Sequence, residues 1–82
     1  MEDLIYLKHE EDNEYFAFNK KNLTSIGVFT GEIRYKTHQD LKDFNWDLGY
    51  NLQNGYFQID KDEFLDVYYI QIKRLTEITN EL

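Results

Sequence analysis

Leu4-Ile5-Tyr6-Leu7-Lys8-His9-Glu10-Glu11-Asp12-Asn13-Glu14-Tyr15-Phe16-Ala17-Phe18 reads as two strands, 4–9 and 14–18, joined by the polar loop Glu10-Glu11-Asp12-Asn13. Pairing across that loop sets Leu7 against Phe16 and Ile5 against Phe18. All four side chains then share one face, because side chains alternate along a strand and register decides which set is buried. Tyr6, Lys8, Tyr15 and Ala17 take the opposite face.

Working outward, the polar break Asn19-Lys20-Lys21-Asn22 leads to a second pair of strands, Ser25 to Phe29 and Glu32 to Lys36, turning at Thr30-Gly31. Val28 faces Ile33 and Ile26 faces Tyr35, with Gly27 opposite Arg34 on the other side. Gly31 supplies the positive φ of a tight turn. A third hairpin is expected at Asn54-Gly55, a strong hairpin dipeptide, pairing Leu52 with Phe57 and Tyr50 with Ile59. Between the second and third pairs, Leu41, Phe44 and Leu48 have helical spacing, so a short helix is expected over 38–48 with Thr37 as its cap.

From Asp60 the apolar period changes from 2 to 3.6. Asp60 is the expected N-cap, with Glu63 three residues on, and Asp62 and Asp66 lie where the helix dipole favours negative charge. Phe64, Val67, Tyr68, Ile72, Leu75, Ile78 and Leu82 gather on one face of a long amphipathic helix. Gln71 falls within that face, where its amide needs partners at a strand end or loop. The expected fold is therefore α+β: an antiparallel sheet of successive hairpins packed on one long C-terminal helix, in a single domain spanning 1–82.

Composition narrows function by exclusion. The chain has 82 residues, enough for one core and no separate cofactor domain. Cysteine is absent, which removes disulfide frameworks, thiolate metal sites and thiol nucleophiles. The formal charge of −7 disfavours direct contact with nucleic acid or anionic membranes. The first residues, Met1-Glu2-Asp3-Leu4-Ile5-Tyr6-Leu7-Lys8, lack the basic start and apolar run of a targeting segment. With no apolar run near ~18 residues, a cytoplasmic protein is expected. The absence of proline and the single alanine, Ala17, beside abundant Asn, Lys, Ile and Tyr, point to an AT-rich bacterial or phage genome.

No motif carries catalysis. A calcium loop with Gly55 at its sixth position would put Tyr50, Leu52 and Lys61 where oxygen ligands are required. His9 and His38 lack a second ligand at a recognised spacing, and Ser25 lacks the turn that exposes a nucleophile. No metal, cofactor or enzymatic activity is expected. A carboxylate hydrolase built on Asp40 and Asp43, or on Asp60 and Glu63, would need a cleft that so small a domain rarely forms.

The remaining signals concern surfaces. Carboxylates cluster as Glu10, Glu11, Asp12 and Glu14; as Asp40, Asp43 and Asp47; and as Asp60, Asp62, Glu63 and Asp66, while 19–36 carries four basic residues against one acidic. Seven tyrosines are present. Tyr35, Tyr50 and Tyr68 are assigned to inner faces, whereas Tyr6, Tyr15, Tyr56 and Tyr69 fall on outer ones, beside Ile70, which points away from the main helix face. Exposed tyrosines near carboxylates suit protein recognition; alternatively, segment 37–48 with Trp46 covers the second face of the sheet and those rings are core. The expected partner-binding residues are Asp40, Asp43, Asp47, Tyr6, Tyr15, Tyr56, Tyr69 and Ile70. They describe a small acidic inhibitor, immunity-type or regulatory protein that blocks a basic site on a partner protein, one that normally holds nucleic acid if the acidity is mimicry. The alternative is a homodimer that uses the exposed tyrosines and Ile70.

Overall fold

The computed structural model describes residues 3–81. Met1, Glu2 and Leu82, the last placed by sequence on the apolar helix face, lie outside them. Strands β1 (Leu4–His9), β2 (Tyr15–Asn19), β3 (Thr24–Phe29) and β4 (Glu32–Thr37) are followed by helix α1 (Leu41–Gln53), strand β5 (Tyr56–Ile59) and helix α2 (Lys61–Glu81). The five strands form one antiparallel sheet in the order β4-β3-β2-β1-β5. The α+β class is as expected.

Both leading hairpins keep the expected registers, Leu7 with Phe16, Ile5 with Phe18, Val28 with Ile33 and Ile26 with Tyr35. The β2–β3 pairing then fixes how the hairpins join: Tyr15 sits opposite Val28 and Ala17 opposite Ile26. The apolar face of the first hairpin is therefore the opposite side of the sheet from that of the second. Such a sheet must be covered twice, and each helix covers one side. Tyr6, Tyr15 and Val28 pack with Phe64 of α2, beside Ala17, Ile26, Ile59, Val67 and Tyr68. Leu7 and Phe18 pack with Phe44 of α1, beside Ile5, Phe16, Leu23 and Leu48.

This arrangement corrects two expected site residues. Tyr6 and Tyr15 are not surface rings; both are buried beneath α2, 9% and 8% exposed. The helix α1, in turn, lies against the face formed by Ile5, Leu7, Phe16 and Phe18.

The hairpin expected at Asn54-Gly55 does not form. The chain stays helical to Gln53, so Tyr50 and Leu52 project outward, and β5 pairs with β1 instead, Tyr6 opposite Ile59 and Lys8 opposite Phe57. Tyr50 and Tyr35, expected on inner faces, are exposed; Tyr35 lies on the edge strand β4. The helix expected over 38–48 begins later and runs longer. Thr37 ends β4, and Asp40 caps α1, its carboxylate accepting from the Asp43 N–H at 2.8 Å. At the other end the Asn54 N–H donates to the Asn51 carbonyl, and Gly55 takes a φ of +91°, the left-handed conformation that commonly ends a helix.

The helix α2 follows expectation at its start, where Asp60 accepts from the Glu63 N–H at 2.8 Å. Gln71 is buried on its sheet-facing side. With its amide oxygen turned to the β3–β4 turn, it accepts from the Gly31 and Glu32 N–H groups at 2.6 and 3.1 Å. A polar residue on an apolar face thus pins the helix to a strand end, as its position in the sequence requires.

Candidate interaction surface

The carboxylates of α1 differ in how free they are. Asp40 is occupied as the cap, and Asp43 accepts from the Gln39 N–H at 3.3 Å, yet both lie at the surface of the first turn. Asp47, one helical turn on, faces β4. Its Oδ2 accepts from Lys36 Nζ at 3.2 Å and lies 3.0 Å from Nε2 of His38. The His38 ring is wholly buried between Phe18 and Phe44, and its Nδ1 lies 3.1 Å from the Leu23 carbonyl. Both ring nitrogens thus lie within hydrogen-bond distance of an oxygen. Burial raises the Asp47 pKa, but the hydrogen bonds from His38 and Lys36, with their charges, outweigh it and hold the carboxyl below its ordinary value. Asp47 therefore fastens α1 to the β4 edge, and it is not a free acidic contact.

Tyr56 is similarly engaged. Its hydroxyl donates to Glu14 Oε1 at 2.7 Å, bridging β5 to the start of β2, and burial together with the adjacent Glu14 charge pushes the phenol well above its usual range. His9 closes the neighbouring β1–β2 loop, its Nδ1 accepting from the Glu11 and Asp12 N–H groups at 3.2 and 3.1 Å. Tyr69 and Ile70 are 61% and 53% exposed on α2, on the other side of the sheet from Asp40 and Asp43. The eight expected contact residues therefore do not form one patch: two are core, two are internal ties, two lie at the start of α1 and two on α2.

The most exposed aromatic pair was missed by that reading. Trp46 and Tyr50, 66% and 53% exposed, stack on the outside of α1 with ring centroids 5.4 Å apart and planes within 15°. With Phe44, Leu48 and Asn51 turned inward, residues 46 and 50 must face out, one turn apart. Gly49 has open space where a side chain would sit, and a shallow recess of about 430 Å³ lies between Asn45, Trp46, Gly49, Tyr50 and Gln53. Asp40 and Asp43 border a second recess on the N-terminal side of Trp46. The spacing Trp46-x-x-x-Tyr50 is the signal, obscured when Tyr50 and Leu52 are read as a strand leading to a turn at Asn54-Gly55.

Other features are structural. Among the described residues no group of three or more His, Asp or Glu side chains is placed to hold a metal ion, and no helix is long and apolar enough to cross a membrane. The carboxylates of 10–14 cap one end of the sheet, while Asp60, Asp62 and Glu63 open α2 at the other, so these clusters do not merge. Comparison with family models, curated proteins and solved structures finds no match to the chain.

Proposed function

We propose that this chain is a small, acidic, non-enzymatic protein-binding module, of the inhibitor, immunity or regulatory kind and of bacterial or phage origin, that docks through the outer face of α1 onto a basic surface of another protein. The stacked Trp46–Tyr50 pair carries the reading. Large aromatic rings held in water lose apolar hydration only when something covers them, and Trp and Tyr dominate the energetics of protein interfaces. Their preordered stacking lowers the entropy lost on docking. Asp40 and Asp43 beside Trp46, together with the net charge of −7, support a basic partner, since complementary charge speeds and orients association.

The test uses the immobilised chain with lysate of its source organism, comparing the wild type, W46A/Y50A and D40N/D43N. Asparagine retains N-capping, so the second variant removes charge while keeping the helix start. A partner that W46A/Y50A loses by roughly thirtyfold or more in affinity, and that D40N/D43N and raised salt weaken further, is the expected result. A partner held equally by all three variants, or no specific partner at any salt, refutes the reading.

A further inference from the structure

The second surface is the free end of α2. Its 21 residues rise about 31 Å, and Gln71, tied to the β3–β4 turn, is the last of them to be buried. From Ile72 to Glu81 every residue except the half-buried Leu75 is exposed, although the apolar stripe continues. At about 100° per residue, Leu75 and Ile78 lie within about 40° of Gln71 on the helix circumference, so they extend the sheet-facing side beyond the sheet itself. Ile78 is 59% exposed.

We infer that a second copy of this chain covers that stripe, the two α2 ends pairing antiparallel about a two-fold axis between residues 76 and 77. Leu75 of each copy then meets Ile78 of the other. The charges decide the orientation. Arg74 and Glu81 lie on the same flank of the stripe, within about 20° of each other. Antiparallel pairing sets Arg74 of one copy beside Glu81 of the other, and symmetry repeats the contact; a parallel two-fold would put these flanks on opposite sides of the seam and lose it. Isologous two-fold contacts of this kind are the commonest oligomeric arrangement.

A cleft of about 210 Å³ runs between α2 and the β3 end, lined by Phe29, Thr30, Val67, Ile70 and Arg74. Ile70, 53% exposed, lies about 100° round the helix from Gln71 and outside the paired span, so it takes no part in this contact. Three helical turns cover less than the roughly 800 Å² per partner of a standard stable interface, so the dimer forms with rising concentration. The α1 face, on the other side of the sheet, stays free.

Sedimentation equilibrium at physiological salt, from about 10 μM to about 1 mM, reads the association directly. The wild-type mass is expected to rise from 10.0 kDa toward twice that value. I78D, which touches no core residue, is expected to stay monomeric with unchanged circular dichroism. R74E is expected to weaken association about tenfold, and R74E/E81R to restore it to within about threefold of the wild type. A wild type at 10.0 kDa throughout overturns the inference. So does an I78D variant that dimerises normally, or a double reversal no tighter than R74E alone.

Discussion

Replacing Asp47 with asparagine tests whether the tie between α1 and β4 is as strong as its geometry implies. The carboxylate takes a hydrogen bond from the exposed Lys36 ammonium and faces Nε2 of the fully buried His38 ring at 3.0 Å. The first is an exposed ion pair worth about 0.2–1 kcal/mol; the second, a buried bond to a charged group, is worth about 1.5–3 kcal/mol. Asparagine keeps one neutral acceptor, so the expected loss is about 2 kcal/mol, or roughly 8–16 °C in Tm for a domain of this size. The loss depends on pH in a definite direction. The folded pKa of Asp47 lies below its ordinary value of 3.8, so its contribution is complete above that value and disappears as pH falls through the folded pKa. Urea unfolding followed by far-UV circular dichroism should show the full gap between wild type and D47N at about pH 6 and a gap that narrows steadily as pH falls below 3.8. Equal stabilities at the higher pH, or a gap that persists unchanged at the lower, would refute the assignment of Asp47 as an ionised tie.

Phe44 is the only α1 residue with no exposed surface among the large apolar ones, and F44A should cost about 3–5 kcal/mol, a large part of the total stability of a small domain, read as a collapse of the urea midpoint. Y15S and Y69S should separate core from surface tyrosine: about 3 kcal/mol lost for the first and no more than about 0.5 for the second, by the same denaturation assay. G55A should destabilise more than G31A. Both positions have positive φ, costing about 1–2 kcal/mol for alanine, but at 55 the new Cβ would also approach His9 Nε2 to 2.8 Å, whereas at 31 it meets nothing.

The strands were legible because their period is short and their signals local. Leu7 against Phe16 and Val28 against Ile33 follow from loop length and alternation within some ten residues each. What alternation leaves open is how one hairpin is turned relative to the next, since each hairpin is self-consistent with either face inward. The Tyr15–Val28 pairing settles it, and with it the burial of Tyr6 and Tyr15; a hydroxylated ring at a strand position reads equally as core or as surface. The helix α1 was half legible for a different reason. Phe44 and Leu48 mark its inner side, but the next inward position holds Asn51, whose Nδ2 bonds back to the Asp47 carbonyl at 2.8 Å and so satisfies burial without an apolar side chain. With the helical period hidden there, the alternation of Tyr50 and Leu52 around Asn54-Gly55 imitated a hairpin. Gly55 does have the positive φ that such a turn demands, but in the service of ending a helix.

The same misreading displaced the candidate surface, and the physics of the displacement is instructive for the proposed function. As a strand, 50–53 would have placed Tyr50 in the core and left Trp46 isolated at the end of a short helix. As a continuous helix, the chain sets them one turn apart and stacked in solvent. Hydrophobic burial favours neither ring in this position, for both lie on the side of α1 that the sheet cannot reach, while the inward side is already filled by Phe44 and Leu48 against Leu7 and Phe18. Fold stability alone therefore gives no reason for two large aromatic residues at 46 and 50, and polar residues would complete α1 at least as well. By the same logic Tyr6 and Tyr15 lose their claim on a partner, because their own packing beneath α2 accounts for them. An aromatic residue that the core does not need is the stronger sign of a surface kept for another protein.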